Sequence, residues 1–136
     1  MTIQGPTHDA ADARILLVDD EPDQVEMYRY ALQDAGFVVV TASTGSAAVS
    51  RARDLRPAAI VLDLRLPDMS GWDVCRILKT DPRTDHIPVI VLTATMTTTL
   101  ATDAAEAGCA EYLLKPCYPD QLAVSIRNVI ATSRGV

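Results

Sequence analysis

Short apolar runs alternate along the chain with stretches of helical spacing. The first run, Ile15-Leu16-Leu17-Val18, stops at Asp19-Asp20-Glu21. A continuous apolar run of this length predicts a strand buried on both faces. Pro22 stands where a helix can begin without losing a hydrogen bond. Val25, Met27, Tyr28, Ala31, Leu32 and Ala35 then recur at helical spacing, and Gly36 reads as the C-terminal cap. Phe37-Val38-Val39-Val40 predicts a second strand, Ala42 to Gly45 a turn, and Ser46 to Leu55 a second helix with Ala47, Ala48 and Ala52 as small residues. Ala58-Ala59-Ile60-Val61-Leu62 predicts a third strand, which runs into Asp63.

Leu64 to Met69 reads as a loop, and Ser70-Gly71-Trp72-Asp73 has capping-box spacing, with Asp at the position usually held by Glu or Gln. The helix behind it is expected to reach about Thr80 and to present Val74, Ile77 and Leu78 to the core. Pro88 leads into a fourth strand, Val89-Ile90-Val91-Leu92, ending at Thr93. A helix from about Thr99 to Ala107, capped by Gly108, precedes a fifth strand, Tyr112-Leu113-Leu114, which ends at Lys115-Pro116. Pro119-Asp120 opens a last helix with Leu122, Val124, Ile126, Val129 and Ile130 as apolar positions, expected to dissolve near Thr132. Strand and helix thus alternate five times. That order predicts an α/β fold with a mainly parallel, doubly wound sheet and right-handed crossovers.

Residues 1–13 carry Gly5 and Pro6 without periodicity and read as a mobile leader, residues 14–131 as one domain, and residues 132–136 as a mobile tail. The chain has 136 residues, 49 % of them hydrophobic and 22 % charged, which suits one globular core. A net charge of −6 disfavours direct nucleic-acid binding by this segment. Cys75, Cys109 and Cys117 are odd in number and form no Cys-x-x-Cys, so neither a disulfide framework nor a cysteine-only zinc site is suggested. No apolar run is long enough to span a bilayer and no signal segment opens the chain. A cytoplasmic protein without membrane attachment is the expectation.

Four of the five strands end in polar residues: Asp19-Asp20, Asp63, Thr93 and Lys115. Parallel strands bring their C-terminal ends to one edge, where open α/β sheets bind ligands. Three close carboxylates repel one another and require a cation; oxygen ligands without imidazole or thiolate favour Mg²⁺. A lysine supplies a point charge for a phosphate-like group, and a threonine supplies a hydroxyl. Such a set can support phosphoryl transfer by neutralising charge and holding geometry. Each residue taken alone reads equally well as a helix cap at a strand end.

Four blocks resemble the receiver domain of bacterial two-component response regulators. They are Leu16 to Pro22, Val61 to Gly71, Ile87 to Ala94 and Ala107 to Pro116, within about residues 14–131. The resemblance implies a (βα)5 sheet of strand order 2-1-3-4-5, flavodoxin-like and CheY-like. It implies that Asp63 is the phospho-acceptor and that Asp19 and Asp20 hold Mg²⁺ (with Mn²⁺ as a substitute), Asp20 being the more direct ligand. Asp63 and the backbone carbonyl of Arg65 complete the metal set. Lys115 pairs with Asp63 and then with a phosphoryl oxygen, Thr93 is the hydroxyl switch, and Tyr112 is the aromatic that turns inward with it. Ala94 is small where a phosphoryl group needs room. Arg65 and Thr95 are expected to modulate dephosphorylation, and the Lys115-Pro116 bond is expected to be cis.

The partner implied is a sensor histidine kinase or a histidine phosphotransfer protein. Output would pass to a downstream protein or a fused output domain, and a phosphorylation-dependent homodimer is compatible. The role is that of a switch taking part in its own phosphoryl transfer and dephosphorylation, not of an enzyme. Three other readings stay open: a flavodoxin-like nucleotide or flavin binder, a degenerate interaction module, and an Mg²⁺-dependent phosphate hydrolase. Against the first, the loop after the first strand is Asp-Asp-Glu, which repels phosphate unless a metal intervenes. Against the second stand the intact Asp20, Asp63, Thr93 and Lys115, and against the third the lack of a separate general base.

Overall fold

A computed structural model describes residues 13–133; most of the expected leader and tail lies outside the described residues. The elements are β1 (Arg14–Val18), α1 (Pro22–Asp34), β2 (Val38–Ala42), α2 (Gly45–Leu55), β3 (Ala59–Asp63), α3 (Gly71–Lys79), β4 (Val89–Thr93), α4 (Leu100–Ala107), β5 (Glu111–Leu114) and α5 (Pro119–Ser133). The five strands form one sheet in the order β2-β1-β3-β4-β5, and every pairing is parallel. The expected fold class and strand order are those of the molecule.

The pleat divides the core in two. Alternate side chains of a strand point to opposite faces. Ile15, Leu17, Ala59, Val61, Ile90 and Leu92 therefore pack on one side with Tyr28 and Leu32 of α1 and Leu122 and Ile126 of α5. Leu16, Val18, Ile60, Leu62, Val89 and Val91 pack on the other side with Ala48 and Ala52 of α2, Val74 and Leu78 of α3 and Ala107 of α4. The apolar runs are continuous because both faces are covered.

Several boundaries and faces differ from the sequence reading, each for a local reason. Phe37 does not enter β2. Gly36, at φ 103°, terminates α1; its N–H donates to the Gln33 carbonyl and the Phe37 N–H to the Leu32 carbonyl, a Schellman closure. Phe37 is spent on ending the helix, so β2 starts one residue later and absorbs Ala42, which had been placed in a turn. Gly45 is already helical because the Thr44 hydroxyl caps the Ala47 N–H.

Ile77 is 36 % exposed and Val124 54 % exposed, against expectation. The narrow stripes that face the sheet run through Val74, Cys75 and Leu78 in α3 and through Leu122, Ala123 and Ile126 in α5. Met27 likewise lies outside the stripe of α1, which buries Tyr28 and Leu32. At the ends, the Ala13 carbonyl accepts the Val38 N–H, and α5 continues past Thr132 to Ser133. Among the described residues no helix is long and apolar enough to cross a membrane.

Candidate functional site

Strand order reverses between β1 and β3, where one neighbour leads to β2 and the other to β4. The crevice at the C-terminal ends of these two strands is the place where such sheets bind ligands. Asp19 and Asp20 follow β1, Asp63 ends β3, Thr93 ends β4 and Lys115 follows β5. Backbone hydrogen bonds carry the ladder to these positions: Asp19 N–H donates to the Ala42 carbonyl at 3.1 Å, and Lys115 N–H to the Thr93 carbonyl at 2.8 Å.

Pleat parity decides which side chains converge. Asp19 continues the stripe of Ile15 and Leu17, Asp63 that of Ala59 and Val61, and Lys115 that of Leu113, all on the α1–α5 side. Carboxylate oxygens of Asp19, Asp20 and Asp63 lie within 4.8 Å of one another. Lys115 Nζ stands 3.5 Å from Asp63 Oδ1 and 3.8 Å from Asp19 Oδ2. Thr93 has the opposite parity, that of Val89 and Val91. It is 2 % exposed, and its hydroxyl is held by the Thr95 backbone, accepting from the N–H at 3.1 Å.

The acidic cluster is electrostatically undercompensated. Burial raises the Asp63 carboxyl above the usual aspartate range; Lys115 opposes the rise and Asp19 adds to it. One ammonium beside three carboxylates leaves net negative charge in a half-enclosed crevice. The donor set is hard oxygen, so the residues fit a hexacoordinate divalent cation such as Mg²⁺. Asp20 is exposed and Asp19 buried, leaving the cluster open on one side to water or a ligand.

The loop after β3 is held from outside. Asp68 Oδ1 accepts the Gly45 N–H at 2.7 Å and Oδ2 the Ser46 N–H at 2.9 Å, at the start of α2. These two backbone bonds, Gly45 first, lower the Asp68 carboxyl below its usual range. At the other end, Ser70 caps the Asp73 N–H at 3.2 Å. Asp73 pairs with Arg76 at 3.2 Å, so among the described contacts only one half of the expected capping box is made. A depressed carboxylate contributes stability above its unfolded pKa, near 3.9, and loses it as pH falls through the lower folded value. Asp68→Ala is therefore expected to lower the thermal midpoint at pH 7 by about 4 °C. The difference should narrow as pH falls below the usual aspartate range, which thermal melts at neutral and acid pH check.

Of the remaining expected positions, Arg65, Ala94 and Thr95 lie at this edge, while Tyr112 lies mid-strand in β5, paired with Val91. The Arg65 side chain is exposed, its N–H reaches toward Asp63 Oδ1 at 3.5 Å, and the residue bridges to Ser70. Ala94 and Thr95 are exposed beyond β4. Tyr112 is 36 % exposed on β5, turned out of the core. The Lys115-Pro116 bond is cis. Two residues escaped the sequence reading: Asp68, and Gln24, whose Oε1 accepts from Lys115 Nζ at 2.8 Å. Gln24 carried one usable signal, a polar amide in the first helical turn after the Asp-Asp edge.

The family model described as response regulator receiver domain matches residues 15–127. The DNA-binding response regulator MtrA of Mycolicibacterium smegmatis is 39 % identical over 119 residues, which are 88 % of this chain and 51 % of that protein. The chain thus spans about half the length of the relatives of this kind that it matches. The chemotaxis protein CheY4 of Vibrio cholerae superposes with a TM-score of 0.82 at 28 % identity, over 87 % of this chain and 98 % of that one. The receiver domain of a Pseudomonas aeruginosa sensor histidine kinase, solved with a magnesium ion coordinated in its active site cleft, gives 0.82 at 29 % identity over 88 % and 98 %. From the sheet edge, the acidic cluster and these matches together, the chain belongs to the receiver domain family of response regulators.

Proposed function

We propose that Asp63 is the phospho-acceptor of this receiver domain. The observation that carries the reading is the meeting of three carboxylates with one ammonium, Lys115 Nζ lying 3.5 Å from Asp63 Oδ1. A carboxylate oxygen of Asp63 attacks the phosphorus of a phosphohistidine on the partner. The O–P bond forms, the P–N bond breaks, and the imidazole leaves with its electron pair and takes up a proton. Asp19, Asp20, Asp63 and the Arg65 carbonyl are the residues that would hold Mg²⁺, or Mn²⁺ in its place. Bound there, the ion supplies charge neutralisation for the transferred oxygens. Lys115 supplies the same service from the protein side.

The acyl phosphate adds roughly two negative charges and new acceptor oxygens. Thr93 then releases the Thr95 N–H and donates its hydroxyl to a phosphoryl oxygen. Tyr112 moves from its exposed position into the space behind it. The surface around α4 and β5 shifts between two populations, with no change of fold. The exposed Arg65 and Thr95 flank the path of an attacking water and set how long the phosphoryl group lasts, while Ala94 leaves it room.

The donor in this reading is a sensor histidine kinase or a histidine phosphotransfer protein in the cytoplasm. The signal leaves through a downstream protein, a fused output domain or a phosphorylation-dependent homodimer. The chain is a switch that assists its own phosphorylation and dephosphorylation and has no separate substrate.

Incubation with acetyl phosphate followed by intact mass tests the reading. A gain of about 80 Da is expected, absent in Asp63→Asn and absent without a divalent cation. The decay of that adduct should differ between wild type and R65A or T95A. No gain in a folded wild-type protein supplied with Mg²⁺ and its kinase would sink the proposal.

A further inference from the structure

Gln24 is the third residue of α1 after the cap residue Glu21. A glutamine at that position ordinarily folds back onto the N–H of the cap residue, the reciprocal half of a capping box. Here the Glu21 N–H is already taken by Asp19 Oδ1 at 2.9 Å, and the Glu21 side chain caps the Asp23 N–H at 3.1 Å. The Gln24 amide is left free to turn toward the sheet edge, where its Oε1 accepts from Lys115 Nζ at 2.8 Å. That is the shortest polar contact of the ammonium; Asp63 and Asp19 stand at 3.5 Å and 3.8 Å. Charge alone predicts the opposite order, because a carboxylate attracts an ammonium more strongly than a neutral amide does.

We propose that Gln24 is a positioning residue that holds Lys115 beside the acidic cluster rather than on it. The ammonium stays near enough to meet a phosphoryl oxygen. The Asp63 oxygen stays free to attack, and the carboxylates stay free to receive a cation. Without the amide, the ammonium settles onto Asp63 as a close ion pair. That pair must open before the carboxylate can bind a metal or react. The consequence for phosphorylation rests on the phospho-acceptor reading; the placement of Lys115 does not.

The composition makes the test direct. Lys79 and Lys115 are the two lysines of the whole chain, so ¹⁵N-lysine labelling yields two side-chain ammonium signals. Lys79 serves as reference, its Nζ donating to the Ile87 carbonyl at 2.7 Å. Gln24→Met keeps the length and helix preference of the side chain and removes the acceptor; Gln24→Glu keeps an acceptor. In metal-free full chain, the Lys115 signal is expected to shift in Q24M and to remain hydrogen-bonded in Q24E, with Lys79 unmoved in both.

Mg²⁺ affinity in Q24M should fall about three- to ten-fold, the range one hydrogen bond covers, and Q24E should show no such loss. Acceptance from acetyl phosphate at saturating Mg²⁺ should slow by a similar factor. An unmoved Lys115 signal in Q24M overturns the proposal. So does a joint shift of both lysines with a lowered melting point, the mark of a merely structural role. Should wild type take up no phosphoryl group, the phospho-acceptor reading fails, while the ammonium spectrum and Mg²⁺ titration still decide the role of Gln24.

Discussion

Replacing Lys115 with alanine is expected to slow phosphoryl acceptance by about 10²- to 10³-fold, the usual cost of losing one preorganised donor at a developing charge. The same substitution should tighten Mg²⁺ binding. Lys115 places a positive charge 3.5 Å and 3.8 Å from two of the carboxylates that would hold the ion. Removing it takes away both a repulsion and a competitor. With near-aqueous screening in a crevice open to solvent that is on the order of 1 kcal/mol, or roughly five-fold in affinity.

The opposed signs make the prediction sharp, since general damage to the fold would weaken binding and reaction together. Calorimetric titration with Mg²⁺, beside the rate of the mass gain from acetyl phosphate at saturating Mg²⁺, separates the two effects. Equal or weaker Mg²⁺ binding in K115A would remove the lysine from direct opposition to the cation. An unchanged rate would remove it from the chemistry.

The second large effect concerns a residue with no side chain. A Cβ on Gly71 would lie 2.7 Å from the Asp63 carbonyl oxygen and 2.9 Å from Leu64 Cα, both backbone atoms. The start of α3 is also tied there, the Gly71 N–H donating to the Leu64 carbonyl at 2.7 Å. Neither side can yield without moving the end of β3. Gly71→Ala should therefore cost about 2 kcal/mol net, after the gain of up to about 1 kcal/mol that alanine brings to a helix. That corresponds to a fall of about 8 °C in the melting midpoint.

Gly45→Ala is the informative comparison. There the new methyl meets the Met69 side chain rather than backbone, and a flexible thioether can step aside. Thermal melts that rank G71A well below G45A support the backbone argument; equal losses would refute it. Because the clash falls on the Asp63 carbonyl, G71A should also weaken Mg²⁺ binding, whereas G45A acts one loop away.

Much of this was legible from sequence because the determining signals are local. Ile60-Val61-Leu62 ending in Asp63 announces a doubly covered strand and its chemical edge together, and the same holds for Val18 with Asp19 and Leu92 with Thr93. What escaped depends on partners distant in sequence or on competition for one group. Asp68 reads as an ordinary loop residue until the start of α2 is seen to lie against it. Gln24 reads as a solvated helix residue until Asp19 is found occupying the N–H that would have engaged it. Phe37 satisfies every rule for a strand residue, yet the positive φ of Gly36 commits it to closing a helix. Ile77 and Val124 are apolar at helical spacing, and only the width of the stripe facing the sheet decides that they stay outside.

The division of each strand between two cores limits how this protein can change length. Lengthening or shortening a loop leaves both cores intact. Inserting or deleting one residue within β3 would exchange the partners of Ile60, Val61 and Leu62 across the sheet. It would also turn Asp63 away from Asp19 and Lys115 to the side on which Thr93 sits. A single-residue change inside a strand thus strikes hydrophobic packing and reactive geometry at once. Tolerated insertions and deletions should accumulate between the elements, with strand length and the position of the terminal aspartate inherited as one unit.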